Sequence, residues 1–226
     1  MFAYISEKAD NRIFNALVQE GFETVLLSPF SCLSDPISSH ADMLFCAISE
    51  TLFVHKNYLC DIQGFERVIK VDEPISDKYP NDVLFNIAIV GNHAFCNTKY
   101  ASKTILKYLE ESRFDIHHVS QGYSHCSICI VSENAIITSD KGISDSAQKA
   151  GVDTLVIQEG YISLQPYNYG FIGGASGYTD NAVYFCGALS SHPNGEMIQN
   201  FCKKHGKQIV ELTNGPLTDV GGILFK

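Results

Sequence analysis

The chain has 226 residues, of which 45% are hydrophobic and 18% are charged, and its formal net charge is −9. This composition is typical of a folded globular protein and excludes a chain that is mainly disordered. The acidic balance argues against a nucleic-acid partner, because phosphate backbones are bound by clustered Lys and Arg. It favours a small cationic molecule as the ligand.

Eight cysteines are scattered along the chain, several of them inside apolar runs such as "VYFCGA" and "HAFCNT". This use of Cys as a small hydrophobic residue is typical of a reduced protein. The sequence "MFAYISEKADNR" lacks the pattern of a secretion signal, and no apolar stretch approaches the roughly 20 residues of a membrane span. We therefore expect a cytoplasmic protein without a membrane partner, whose oligomeric state the sequence leaves open.

Five strand-like segments recur at an almost regular period, and their first residues are separated by 49, 42, 42 and 47 positions. They are "FAYIS" from Phe2, "TLFVH" from Thr51, "HAFCNT" from His93, "AIITSD" from Ala135 and "AVYFCGA" from Ala182. Such a period indicates a repeat of one α/β unit.

A helical pattern follows four of the five segments. The patterns open on Ser or another capping residue, and three of them stop near Gly. The second unit has "NYLCDIQGFE" instead and predicts no clear helix. A second strand comes next in every unit, as in "ETVLLS" and "RVIKV".

Each unit ends on a closing strand, and a short polar turn such as "SE" or "GN" joins it to the next unit. The closing strands are predicted in "HADMLFCAI", "VLFNIAIV", "SHCSICIV", "GFIGGASG" and "TDVGGILF". The last of these has no following partner, and "FAYIS" has no preceding one. Pairing of these two strands predicts one domain over residues 1–226, an α/β propeller of five ββα-type repeats around a pseudo-fivefold axis. The alternative is an open α/β sheet with irregular repeats.

The closing strands carry the residues that suggest chemistry. His40 and Asp42 are two apart, so on a strand they share one face. Cys126 and Cys129 are three apart and face opposite sides, and no second cysteine pair has the spacing of a zinc knuckle. We therefore expect neither a metal nor another cofactor.

This combination of a five-unit ring with a His-x-Asp strand resembles the pentein fold of guanidino-group-modifying enzymes. That fold includes arginine deiminases, agmatine deiminases and dimethylarginine dimethylaminohydrolases. "GYSHCSICIVSENAIITSDKGI" and "GFIGGASG" are also similar to stretches of an uncharacterised bacterial family assigned to the fold.

The resemblance implies a cysteine hydrolase or deiminase that acts on a guanidine-type or related C–N substrate through a covalent thiol intermediate. By this resemblance Cys126 would be the nucleophile, His40 the general acid and base, and Asp219 the acid that completes the catalytic set. Asp42 would bind the cation, since carboxylates accept from planar N–H donors. The remaining polar residues on axis-lining strands, Asn86 and His125, are expected to bind substrate.

Two departures from the family pattern keep a second interpretation open. The family's nucleophile sits near the C-terminus, where this sequence reads "LTDVGGILFK", so the match requires a circular permutation. Unit four offers Gly173 and Gly174 in place of acids, and we expect these glycines to leave room for a ligand. The alternative is a non-catalytic pentein that serves as a binding or scaffolding module.

Overall fold

The computed structural model describes every residue from Met1 to Lys226 and contains five three-stranded sheets. The strands are β1 (Phe2–Ser6), β2 (Glu23–Leu27), β3 (Phe45–Ile48), β4 (Thr51–His55), β5 (Arg67–Val71), β6 (Ala88–Val90), β7 (His93–Cys96), β8 (Asp115–His118), β9 (Ile128–Ser132), β10 (Ala135–Thr138), β11 (Asp153–Val156), β12 (Ser176–Tyr178), β13 (Ala182–Phe185), β14 (Gln208–Glu211) and β15 (Leu224–Phe225). The helices are α1 (Asn11–Gln19), α2 (Ala41–Leu44), α3 (Lys103–Glu111), α4 (Lys141–Lys149) and α5 (Gly195–Lys204).

All five sheets have the same internal order. A central strand pairs in parallel with the outer strand that follows its connection, and it pairs antiparallel with an inner strand. In order inner–central–outer, the sheets are β15-β1-β2, β3-β4-β5, β6-β7-β8, β9-β10-β11 and β12-β13-β14. The predicted repeat of one unit is therefore confirmed.

Local sequence signals account for the connecting helices. The side chains of Ser102 and Asp140 accept hydrogen bonds from backbone N–H groups in the first turns of α3 and α4, which satisfies donors that a helix end leaves free. Gly151 and Gly206 follow α4 and α5 with positive φ angles of 82° and 72°, the conformation that ends many helices. No helix lies between β4 and β5, as the sequence predicts.

The first and last strands close the ring. β1 pairs antiparallel with β15, with Ala3 opposite Phe225 and Tyr4 opposite Leu224, and the backbones of Phe2 and Lys226 bond to each other in both directions. The prediction of closure is confirmed, and the alternative of one open sheet is wrong.

Five hydrophobic clusters fill the five boundaries between neighbouring sheets, one cluster at each boundary. Helices cover four of these boundaries. At the boundary between the first and second sheets, loop side chains such as Phe30, Ile37 and Tyr58 take the helix's place. Each sheet therefore buries both faces, which makes the ring one cooperative structure. No helix in the structure is both long enough and apolar enough to cross a bilayer.

Four of the five neighbouring pairs of inner strands contact each other around the axis, but the inner strands are shorter than the closing strands that the sequence predicts. His40 and Asp42 lie outside β3: His40 precedes the single helical turn α2, and Asp42 belongs to it. The prediction that they share a strand face is wrong. The physical reason is that the backbone turns at His40, where the N–H of Leu44 donates to the His40 carbonyl, before it extends at Phe45.

Candidate functional site

A turn precedes the inner strand of every sheet, and these turns hold all the candidate residues. The five mouth turns, as we call them, comprise residues 40–44, 83–87, 123–128, 171–176 and 219–223. Most contain local i+3 or i+4 backbone bonds, for example from Ser127 to Tyr123 and from Ala175 to Phe171. The pseudo-fivefold repeat therefore brings residues that are distant in sequence to one end of the axis.

Backbone hydrogen bonds link four of the mouth turns to their neighbours. The N–H of Asp42 donates to the Gly221 carbonyl at 3.1 Å. Gly174 donates to the Cys126 carbonyl at 3.1 Å, and Val220 donates to the Gly174 carbonyl at 2.9 Å. Only the second turn lacks such a backbone link in this chain of contacts.

Asn86 supplies the missing links with its side chain. Its amide nitrogen donates to the Asp42 carbonyl at 3.0 Å and to Cys126 Sγ at 3.0 Å, and its amide oxygen accepts from the backbone N–H groups of His125 at 2.7 Å and Cys126 at 3.3 Å. Together with the backbone bonds this makes a closed hydrogen-bond circle through all five turns. Asn86 is 1% exposed, so the circle is sealed from water at this point.

The glycines of the fourth turn do not leave room for a ligand, and that prediction is wrong. A Cβ on Gly173 would lie 2.4–2.6 Å from the carbonyl oxygens of His125, Ile128 and Cys126, and one on Gly174 would lie 2.0 Å from Asp219 Oδ1. The space is already filled by the neighbouring turn and by the Asp219 carboxylate. Glycine is required here because two backbones and an acid meet.

Asp219 is held in the middle of this arrangement. Its Oδ2 accepts from the Phe171 N–H at 2.9 Å and its Oδ1 from the Gly221 N–H at 3.0 Å. His40 Nδ1 lies 3.7 Å from Asp219 Oδ1. Burial lowers the pKa of His40, and the negative charge of Asp219 opposes that shift only in part. The imidazole is therefore predominantly neutral at pH 7.

Asp42 is the least satisfied polar group of the site. It is 3% exposed, and neither of its carboxylate oxygens has a hydrogen-bond partner. Burial raises the pKa of Asp42, the nearby charge of Asp219 raises it further, and the neighbouring Cys126 thiol opposes these two effects only in part. A buried carboxyl without partners is stabilised when a cation or a group with several hydrogen-bond donors binds to it.

Cys126 lies beside both acids. Burial raises the pKa of the Cys126 thiol well above its ordinary value, and the charges of Asp42 and Asp219 act in the same direction. Only the amide of Asn86 opposes them by donating to the sulfur. The structure thus brings Cys126, Asp42, Asn86 and Asp219 together, with His40 next to Asp219.

His125 is placed differently from the other candidates. Its backbone takes part in the circle, whereas its ring Nδ1 is enclosed without a partner. Burial lowers its pKa to about 4. No group of three or more His, Cys, Asp and Glu side chains is arranged to hold a metal ion.

A cleft of about 740 Å³ reaches the site from the side of the first and fifth units. His40 and Asp219 line it, and so does Cys186, which directly follows β13. Sequence reasoning missed Cys186, because "VYFCGA" has the pattern of a buried strand and contains no signal for a cleft. At the rim, Lys8 bonds Asp35 and Arg12 bonds Asp10, so these cations are already paired.

Comparison with known proteins gives one match by sequence and several by structure. Residues 4–224 match the model of a family described as "Family of unknown function (DUF6873)". No curated protein matches the sequence.

Three solved structures illustrate the likeness. Agmatine deiminase from C. jejuni is 15% identical with a TM-score of 0.55, and the match covers 96% of this chain and 90% of the deiminase chain. DDAH from Pseudomonas aeruginosa, complexed with citrulline, is 9% identical with a TM-score of 0.54, and the match covers 93% of this chain and 91% of the DDAH chain. An amidinotransferase from Microseira wollei in the saxitoxin biosynthetic pathway is 11% identical with a TM-score of 0.59, and the match covers 95% of this chain and 80% of the amidinotransferase chain. The chain therefore has the pentein fold, the pseudo-fivefold α/β propeller of these proteins.

Proposed function

From the premise that the chain belongs to the family of unknown function DUF6873 and has the pentein fold, we propose that it is a cysteine hydrolase or deiminase. Its substrate is a guanidine-type cation or a related C–N compound, converted through a covalent intermediate on Cys126. A fold alone does not transmit chemistry, so the proposal depends on the site.

The observation that carries the proposal is the charge of the buried site. Asp42 and Asp219 are 3% and 4% exposed and flank a buried thiol, while both oxygens of Asp42 lack partners. His40 contributes no positive charge, because burial lowers its pKa. A planar cation with several N–H donors would satisfy the Asp42 oxygens and neutralise the pair of acids.

The same cation would activate the nucleophile. In the free protein, burial and two carboxylates raise the pKa of Cys126, so the thiol is protonated. A guanidinium held between Asp42 and Asp219 reverses the sign of the nearest charge and favours the thiolate. The Asn86 amide, 3.0 Å from the sulfur, stabilises that thiolate further. The site is thereby reactive only when it is loaded.

Four residues carry the proposed reaction. Once the cation is bound, the Cys126 thiol passes its proton to the neutral His40 and the sulfur forms a bond to the guanidinium carbon. The C–N bond to the leaving amine then breaks as His40 gives that amine the proton. His40 then takes a proton from water, whose oxygen bonds to the same carbon. Collapse of this adduct breaks the C–S bond and returns the Cys126 thiolate. Asp42 and Asp219 hold the remaining nitrogens throughout.

Selective alkylation tests the proposal. Chloroacetamidine carries the amidinium cation next to an electrophilic carbon, and we expect it to label Cys126 faster than the neutral analogue chloroacetamide does. Peptide mass spectrometry identifies the labelled cysteine. Cys126→Ser should abolish the fast phase, and the matched control Cys186→Ser, which removes the cysteine of the cleft wall, should retain it.

Loss of the fast phase in Cys186→Ser but not in Cys126→Ser would move the nucleophile to Cys186 and contradict the proposal. Equal, slow labelling of all eight cysteines by both reagents would favour the second candidate, a non-catalytic binding module. One observation supports that candidate: Cys126 is 5% exposed and does not line the cleft, whereas Asp219 does, so a ligand could reach Asp219 without meeting the thiol.

A further inference from the structure

Five aromatic rings form a continuous row that passes through the third and fourth mouth turns. Successive ring centroids are 5.7 Å apart from Tyr100 to Tyr79, 5.7 Å from Tyr79 to Tyr123, 6.1 Å from Tyr123 to Phe171 and 6.4 Å from Phe171 to Tyr169. We call this set the aromatic row. It joins segments that are distant in sequence, so its continuity is a property of the folded ring.

The row is exposed and held in place. Tyr79 is 49% exposed, and Tyr100 and Tyr169 are each 37% exposed, so part of each of these side chains is open to solvent. Gly122 fixes the position of Tyr79, because a Cβ on Gly122 would lie 2.4 Å from the Tyr79 ring. Large exposed aromatic surfaces that are ordered in this way are typical of binding sites.

Acidic groups accompany the row. The Tyr123 hydroxyl donates to Asp82 at 2.6 Å, and the Tyr169 hydroxyl donates to Glu159 at 3.3 Å. Asp82 is 3% exposed, and one of its carboxylate oxygens is enclosed without a partner. Negative charge bonded to the ring hydroxyls adds to the attraction that the aromatic rings have for a cation. The row therefore combines the two features that recognise organic cations.

We propose that the aromatic row binds a linear organic polycation, a flexible chain with two or more amino or guanidino groups. Its ring spacings match charges separated by three or four methylene groups, which span about 5–6 Å because each single bond of about 1.5 Å advances an extended chain by about 1.25 Å. Each cationic group lies over a ring face, and the hydrocarbon between charges covers the ring edges. The row needs neither Cys126 nor the acids Asp42 and Asp219 of the buried site, so this proposal goes beyond the proposed function.

Calorimetric titration with spermidine tests the row, using n-butylamine as a monocation of similar hydrophobicity and MgCl₂ as an inorganic dication. The ionic strength is kept constant because exposed charges are screened by salt. We expect spermidine to bind more tightly than both. Tyr79→Ala should weaken its binding about two- to fivefold, the loss expected for one exposed cation–π contact.

Two further variants test whether the alignment of the rings matters. Gly122→Ala, which leaves every ring present but displaces Tyr79, should weaken spermidine binding in the same direction. The matched control Tyr161→Ala removes a tyrosine that is 48% exposed and packs on His192 outside the row, and it should bind as the wild type does.

Four results would overturn the proposal. The first is equal binding of spermidine by Tyr79→Ala, Gly122→Ala and Tyr161→Ala, and the second is displacement of spermidine by MgCl₂ at equal ionic strength. The third is loss of binding in Asp42→Asn, which would place the amine in the buried site. A Lys-rich hexapeptide that binds when spermidine does not would also reject a small polycation in favour of a protein partner.

Discussion

The first and fourth mouth turns occupy equivalent positions in the ring but differ in the side chains that they carry. The first contributes Asp42, whose carboxylate is buried without a partner. The fourth contributes Gly173 and Gly174, whose missing side chains are replaced by carbonyl groups and by the Asp219 carboxylate of the fifth turn. Both turns carry a link of the same hydrogen-bond circle. The hydrogen-bond circle therefore fixes the backbone of both turns, while their side chains can differ. Those of the fourth turn allow close packing, and that of Asp42 in the first turn is available to a ligand.

The largest effect on stability is expected from a substitution in the tightly packed fourth mouth turn. Gly174→Ala places a Cβ 2.0 Å from Asp219 Oδ1, and we expect it to lower the free energy of unfolding by at least about 3 kcal/mol, since the buried Asp219 carboxylate is held by two backbone N–H groups and cannot move away without losing them. Urea denaturation measures the change. Gly215→Ala is the control, because its nearest non-neighbouring atom is 3.7 Å away, and it should alter stability by less than about 0.5 kcal/mol.

A double variant shows whether the clash is with Asp219. If it is, Gly174→Ala combined with Asp219→Ala should cost less than the sum of the two single changes. Additive costs would mean that the glycine is needed for another reason.

The next largest effect is expected from removing the Asn86 side chain, which links the second mouth turn to its neighbours in the hydrogen-bond circle. Asn86→Ala removes the bonds to Asp42 and to the backbone of His125 and Cys126, leaving buried polar groups without partners. We expect a loss of about 2–3 kcal/mol in the free energy of unfolding. Asn92→Ala, which removes one exposed bond to the Arg113 carbonyl, should cost much less. Equal losses would show that the circle contributes nothing of its own.

The smallest expected effect on stability concerns the first mouth turn, where the Asp42 carboxylate has no hydrogen-bond partner. Because the pKa of Asp42 is raised in the folded state, folded protein retains that proton while unfolded protein releases it. The Asp42 contribution to stability therefore falls as the pH rises from about 4 through the raised pKa. Asp42→Asn cannot lose a proton there, so we expect it to gain about 1–2 kcal/mol on the wild type between about pH 4 and pH 8.

Urea denaturation at several pH values checks this expectation, with the exposed Asp145→Asn as the control. A stability difference between wild type and Asp42→Asn that does not change with pH would contradict the expectation, because it would mean that the pKa of Asp42 is the same in the folded and the unfolded protein.

The sequence predicts the fold well because local signals repeat in every unit. Ser102 and Asp140 cap helices, Gly151 and Gly206 follow helices, and short polar turns join the hairpins at Ser49 and Gly91. Ring closure follows from counting strands that lack partners. These features depend on neighbours in the chain, which a sequence displays directly.

The site is harder to predict because it depends on contacts between units. The alternation that suggests a strand at His40 and Asp42 ignores the turn that the circle imposes on that segment. Nothing in "GFIGGASG" shows that the atoms opposite the glycines belong to Cys126 and Asp219. Likewise, only the folded ring places Cys186 at a cleft. The roles of Cys126, His40 and Asp219 stay predictions until their reactivity is measured.

The pairing of Ala3 with Phe225 has a consequence for biosynthesis. Strand β1 is synthesised before every other strand of the ring, yet the inner strand beside it is made after the other four sheets. Until then β1 presents an unpaired edge, and such edges promote aggregation. Contacts this distant in sequence also slow folding. The protein should therefore depend on chaperones most strongly while its last inner strand is still being synthesised.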